Sequence, residues 1–163
     1  MLIREATTQD WPAIWAFFHP IVTAGETYTY PLDLSYEDGQ AWWLLPEPNR
    51  TVVAVDETTG AVLGTAKMNR NHMGNSAHIA SASYMVDPAH GGRGVGRALA
   101  EHTIDWARQS GYRAMQFNAV VASNEHAVKL YESLGFTITG TIPEGFHHPV
   151  HGYVGLHIMH RPL

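Results

Sequence analysis

The residues with the clearest chemical potential lie in one stretch, Val86-Asp87-Pro88-Ala89-His90-Gly91-Gly92-Arg93-Gly94-Val95-Gly96-Arg97. An apolar run enters a turn carrying four glycines and leaves directly into a helical pattern. Glycine lets backbone N–H groups come close to a ligand. A helix start adds unpaired N–H donors and a partial positive charge. Together they suit a phosphate or pyrophosphate. Arg93 and Arg97 add charge that can reach anionic oxygens. The loop lacks the lysine and spacing of a P-loop. It also lacks the third glycine of the dinucleotide fingerprint and does not open the chain as that motif does.

A second block follows: Asn124-Glu125-His126-Ala127-Val128-Lys129-Leu130-Tyr131-Glu132-Ser133-Leu134-Gly135-Phe136. Ala127, Leu130 and Leu134 form a helical apolar stripe. Asn124 sits where it can both cap the helix and donate outward. Tyr131 is either a core tyrosine with a satisfied hydroxyl or a reacting group.

The elements that must position these blocks read as follows. Residues 1–6 make an edge-type strand, and Thr8 caps a helix carrying Trp11, Ile14, Trp15 and Phe18 that stops by His19-Pro20. Residues 20–34 read as a long connection, and Ser35 caps a second helix through Leu45. Residues 51–55 and 61–68 form a hairpin, joined by a strand at 78–86. The glycine turn opens a helix to about Gln109 that stops at Gly111. A strand at 115–121, the Asn124 helix and strands at 136–142 and 153–160 complete the chain, with 147–151 in the loop between the last two. The order is that of a mixed α/β domain spanning residues 1–163.

Composition narrows the chemistry. Of 163 residues none is Cys, which excludes thiolate metal sites and a cysteine acyl-enzyme, while Ser and Tyr remain as nucleophiles. A formal charge of −5 without a basic tract argues against nucleic acid. No apolar stretch is long enough for a membrane span, and the N-terminal residues lack an apolar signal core, so a cytoplasmic protein is expected. Eleven histidines make the charge pH-sensitive near neutrality.

The two blocks, in this order and with these elements, resemble the GCN5-related N-acetyltransferase (GNAT) superfamily. The likeness is strongest from Tyr84 to Phe136 and covers nearly the whole chain. The family's loop, Q/R-x-x-G-x-G/A, aligns with Gly91-Gly92-Arg93-Gly94-Val95-Gly96. Gly91 stands where the family has Gln or Arg, which removes a side chain but leaves the backbone donors. The resemblance implies a central, mostly antiparallel twisted sheet of about seven strands with helices on both faces. It implies acetyl-CoA as donor and no metal. It implies that the backbone of Tyr84, Met85 and Val86 pairs with the pantetheine arm in a slot where this strand splays from the 115–121 strand. An amide near Val86 would polarise the thioester carbonyl. Asn124 would hold the cofactor arm, and Tyr131 would act at the sulfur as acid or hydrogen-bond stabiliser.

On the acceptor side, Glu26, His78 and a histidine of 147–151, foremost His147, are candidate bases, beside a backbone-and-water route. Asn118 interrupts an apolar strand, and Ser81 and Ser83 stand on the adjacent one. They can orient substrate, and Asn118 can equally make an internal hydrogen bond. Tyr28, Tyr30, Trp42 and Trp43 can form a pocket wall, a dimer surface or core. His147, His148 and His151 match no standard metal-ligand spacing. The chain is loosely similar to the subgroup acting on phosphinothricin and proline analogues, which implies a small-molecule amine, such as an amino acid or analogue, and a homodimer. The competing classes are a non-catalytic acyl-CoA sensor, an acetyltransferase for protein amines and a nucleotide-dependent oxidoreductase.

Overall fold

The computed structural model describes Met1–Leu163. In chain order it runs β1 (Leu2–Glu5), α1 (Trp11–Ala24), α2 (Tyr36–Trp43), β2 (Arg50–Val55), β3 (Val62–Arg70) and β4 (Ile79–Val86). Then come α3 (Val95–Gln109), β5 (Ala114–Val121), α4 (Glu125–Ser133), β6 (Thr137–His148) and β7 (Gly152–Pro162). The strands form one sheet in the order β1-β2-β3-β4-β5-β7-β6. Only β4 and β5 run parallel.

Side chains alternate between the two faces of a strand, and here both faces are covered. On β2, Val52 and Ala54 pack under α3 with Leu63, Leu99, Ile104 and Phe117. Val53, between them, joins Trp11, Ile14, Phe18, Trp43 and Met85 under α1 and α2. Gly64 sets how closely α3 approaches: a Cβ there would stand 2.8 Å from the Met85 carbonyl and 3.0 Å from Val95 Cγ1. The start of α3 is thereby pressed onto the end of β4.

Three local expectations are corrected. First, α1 does not stop at Pro20 but continues to Ala24. Val22 is buried and Ile21 packs on the same cluster. Those two burials, about 1.5–3 kcal/mol each, offset the roughly 3 kcal/mol of a mid-helix proline. The connection after α1 is therefore shorter than residues 20–34. Second, a short 3-10 turn, Thr8–Asp10, leads into α1 and is capped by Thr7, one residue early, so that Asp10 stands at the start of α1. The Thr7 N–H and hydroxyl both donate to Asp10 Oδ2, at 2.7 and 3.0 Å. Third, β6 runs on to His148 through a register shift between Ile142 and Phe146, so His147 lies on a strand and not in a loop. Pro143, which has no N–H to give the ladder, falls inside that irregularity.

Candidate active site

The parallel pairing of β4 and β5 covers only Ile79↔Ala114 and Ala80↔Met115. Beyond it the strands part. On the β3 side of β4 the ladder continues, and Asp87 N–H donates to the Leu63 carbonyl at 3.0 Å. Backbone groups alternate in direction along an antiparallel strand. Tyr84 and Val86 therefore direct theirs into the gap. The far wall is β5, where a register shift between Phe117 and Val120 bulges Asn118 and Ala119 out of the ladder. A cavity of about 1060 Å³ fills the gap.

At one end stands the glycine loop. Asp87 shapes the entry by accepting from Ala89 N–H at 2.9 Å. Gly92 and Gly94 hold φ values of 75° and 76°, which a side chain would strain. The first bond inside α3 runs from Ala98 N–H to the Gly94 carbonyl at 3.0 Å. The N–H groups of Val95, Gly96 and Arg97 therefore stay free at the cavity. Gly91, Gly92, Gly94, Val95, Gly96 and Arg97 all line it. Arg97 donates to Ser133 Oγ at 2.8 Å, joining α3 to α4 at the mouth. Arg93 does not line the cavity: it pairs with Asp56 at 3.2 Å. The Asp56 carboxyl is held below its ordinary pKa by the N–H groups of Thr58 and Thr59, then by Arg93. Free N–H groups, open space and a slot edged by the Tyr84 N–H and the backbone of Val86 fit an extended thioester with a pyrophosphate tail.

At mid-cavity the Tyr131 ring packs on Phe117, centroids 4.7 Å apart, and lies 5.9 Å from Tyr84. Its hydroxyl has no partner within the chain, and burial raises its pKa. Asn124 caps α4 by accepting from Ala127 N–H at 3.3 Å, leaving its amide protons for the cavity it lines. Tyr84 anchors its side chain away from the gap, Oη 2.6 Å from Thr103 Oγ1, so its backbone is the part the cavity meets.

The other end is lined by Glu26, Tyr28, Tyr30, Ser81, Ser83 and Asn118. Asn118 Nδ2 donates to Asn71 Oδ1 at 2.6 Å, and its Oδ1 accepts from Gln116 at 2.8 Å. Two sequence candidates are not brought to the cavity. His78 is exposed just before β4. His147 is exposed on β6 and stacks on Tyr153 at 4.6 Å. His148 Nδ1 accepts the N–H groups of Val150 and His151 at 3.1 and 3.3 Å. No group of three or more His, Asp or Glu side chains is arranged to hold a metal ion. Sequence reasoning missed one contact: the Tyr28 hydroxyl donates to the Tyr84 carbonyl. Nothing local could signal it, because the partners are 56 residues apart.

The model of the acetyltransferase (GNAT) family matches residues 11–136. A GCN5-related N-acetyltransferase from Kribbella flavida has the same fold at a TM-score of 0.96 and 57% identity, over 99% of this chain and 97% of that one. The structure of yncA from Salmonella typhimurium with its cofactor acetyl-CoA superposes with a TM-score of 0.87 at 26% identity, over 100% and 94% of the two chains. An L-methionine sulfoximine/L-methionine sulfone acetyltransferase of Salmonella typhimurium is 30% identical over 146 residues, 88% of this chain and 84% of that protein. The N-acetyltransferase aca1 of Schizosaccharomyces pombe is 32% identical over 114 residues, and the match spans 69% of this chain and about half, 54%, of aca1. With the family model covering most of the chain and the fold shared along its length, the protein belongs to the acetyltransferase (GNAT) family.

Proposed function

We propose that the protein transfers the acetyl group of acetyl-CoA directly to the amine of a small molecule, a free amino acid or a close analogue. One observation carries this reading. A single cavity runs from the free N–H groups of α3, past the unpartnered Tyr131 hydroxyl, to a small polar end beside Ser83 and Glu26. The relatives named above support the donor and the acceptor class: yncA holds acetyl-CoA, and the Salmonella enzyme is named for two amino-acid analogues.

Acetyl-CoA supplies its acetyl group as a thioester. The Tyr84 N–H and the backbone of Val86 align the arm, since the Met85 groups turn to β3 and the Tyr84 carbonyl is taken by Tyr28, and the Val86 N–H polarises the thioester carbonyl. The loop Gly91–Gly96 and Arg97 hold the pyrophosphate through N–H groups and charge. Asn124 donates to the arm. The acceptor nitrogen bonds to the carbonyl carbon as the carbon–sulfur bond breaks. Tyr131 gives its proton to the departing sulfur, and burial keeps the phenol protonated until that moment. Glu26 is the one proposed base that lines the cavity, and it takes the amine proton directly or through water. Ser83 and Asn118 orient the acceptor.

The test is release of free coenzyme A across a panel of amino acids, analogues, polyamines and peptides. Turnover of free amino acids supports the reading. Preference for peptides would shift it to protein amines, and acetyl-CoA binding without turnover would make the protein a sensor. We further propose a cytoplasmic homodimer. Use of acetyl-CoA supports the location, and no helix is long and apolar enough to cross a membrane. Ile138, Ile142, Val150 and Tyr153 are exposed on the β6–β7 hairpin, which supports a self-associating face. Light scattering on wild type and Ile142→Asp checks it: a dimer that becomes a monomer is expected.

A further inference from the structure

Lys67 sits on β3 inside an aromatic wall. Its Nζ lies 5.4 Å from the ring centre of Tyr30 and 5.3 Å from that of Trp43, and donates to the Trp42 carbonyl at 3.0 Å. No carboxylate of the chain pairs with it, and its other two protons have no acceptor. Taking an ammonium out of water without a counter-charge is costly, and burial holds this one down to a pKa of about 8.

Lys67 also borders a second cavity, of about 410 Å³, together with Asn49, Asn69 and Arg70. No carboxylate lines it. The two cavities share no lining residue, but one ladder relates them. Lys67 stands opposite Ser83, and Asn69 opposite Ser81, in the β3–β4 register. Directly opposed residues share a face, with Cβ atoms about 4.5–5.5 Å apart. Ser81 and Ser83 line the acceptor end of the first cavity, as does Tyr30, whose ring also carries the ammonium. The second cavity is thus a cationic, amide-lined extension of the acceptor end, one strand away.

We propose that this extension receives the carboxylate of the acceptor, that Lys67 is its counter-charge, and that Lys67 thereby selects amines that carry an anion. The inference rests on the acetyl-transfer reading above and deepens it. Asn49 and the second amide proton of Asn69, whose Nδ2 also donates to the Arg70 carbonyl at 2.6 Å, supply donors, and Arg70 adds positive charge at the rim. Tyr30, held neutral by a pKa raised to about 12, presents its ring face to the ammonium without competing charge. Glu26 lines the first cavity, on the amine side. The carboxylate and the amine of one molecule are then held at opposite charges.

The experiment compares wild type, Lys67→Met and Lys67→Arg on free amino acids, on the matching amino-acid amides and on dicarboxylic amino acids. Lys67→Met is expected to lower kcat/KM for free amino acids roughly 10- to 100-fold, mainly through KM, the size of a lost charge-assisted hydrogen bond. Amides are expected to change within about twofold, as for a surface substitution. Lys67→Arg is expected to restore most of the loss. A loss confined to dicarboxylic substrates assigns the extension to a side-chain carboxylate. An equal loss on acids and amides overturns the proposal, as does no loss on either. A binding arm separates this outcome from failure of the transferase reading. Isocaproate, which is leucine without its amine, is titrated by calorimetry into the protein with coenzyme A. Binding at least about tenfold weaker in Lys67→Met supports the site even if no acceptor turns over. Equal binding, or none to wild type, overturns it. Wild-type affinity is expected to fall as pH rises through about 8, where Lys67 loses its charge, and Lys67→Arg is expected to lack that fall.

Discussion

The hydroxyl of Tyr28 donates to the backbone carbonyl of Tyr84. This one bond ties the segment after α1 to the strand edge that forms the slot. Tyr84 is held from both sides, since its own hydroxyl meets Thr103 Oγ1 under α3 at 2.6 Å. The position of β4 against the cavity is set by both bonds, and Tyr28 lines that cavity.

Tyr28→Phe removes the donor and leaves a partly buried carbonyl unpaired. A stability loss of about 1–2 kcal/mol is expected. Denaturant melts give the size. Hydrogen exchange is expected to show faster opening of residues 25–35, and unchanged exchange there would refute the tie.

Tyr131→Phe keeps the ring against Phe117 and removes only the hydroxyl. Turnover is expected to fall about 10²-fold, within the range for general acids, with acetyl-CoA affinity unchanged. Because burial raises the phenol pKa, wild-type turnover is expected to show no downward break from Tyr131 below about pH 10, the ordinary value for a tyrosine. Kinetics and a separate binding titration check both halves.

Gly94→Ala meets no atom within 4 Å but must hold φ at +76°, so a strain of about 1 kcal/mol and weaker acetyl-CoA binding are expected. Gly96→Asp acts differently. Its Cβ would make ordinary contacts with Val86 and Leu130, at 3.6 and 3.7 Å, so its effect comes from charge and not from a clash. A carboxylate among the free N–H groups of α3 is expected to reduce acetyl-CoA affinity more than tenfold, while the thermal midpoint without ligand changes little. Calorimetry distinguishes the two variants.

Asp10 accepts from Arg4 at 2.7 Å and from Thr7, and these bonds, Arg4 first, lower its pKa from 3.8 to about 2. A carboxylate depressed by folding adds stability above its unfolded value near 3.8, and the gain disappears as pH falls through about 2. Arg4 is partly exposed, so the pair is expected to contribute about 1 kcal/mol. Asp10→Asn is expected to cost that amount at pH 7 and to flatten the acid limb between pH 4 and 2. A stability curve against pH tests it.

The glycine loop and the Asn124–Tyr131 helix were legible because their signals are local. A turn before a helix, a cap three residues from its N–H and an apolar stripe each depend on neighbours within about one or two turns. That helices cover both faces of the sheet came from the resemblance; the apolar run Val52-Val53-Ala54 shows no alternation in sequence, and the structure divides it between the two layers. Pro20 misled because burial of Val22, a tertiary event, outweighed a local preference. Arg93 was read toward the cavity, and a β2–β3 hairpin carboxylate, Asp56, took it instead.

The amino-acid sequence alone therefore determined the element order and a glycine turn at a helix start, since each rests on spacing along the chain, while the role of Tyr131 came from the family resemblance. Only the tertiary structure decided which side chains share the acceptor end. It joined Tyr28 to Tyr84, took His78 and His147 out of the cavity and set Lys67 opposite Ser83. Those relations depend on register and on long-range packing, where a shift of one residue turns a side chain to the other face of the sheet.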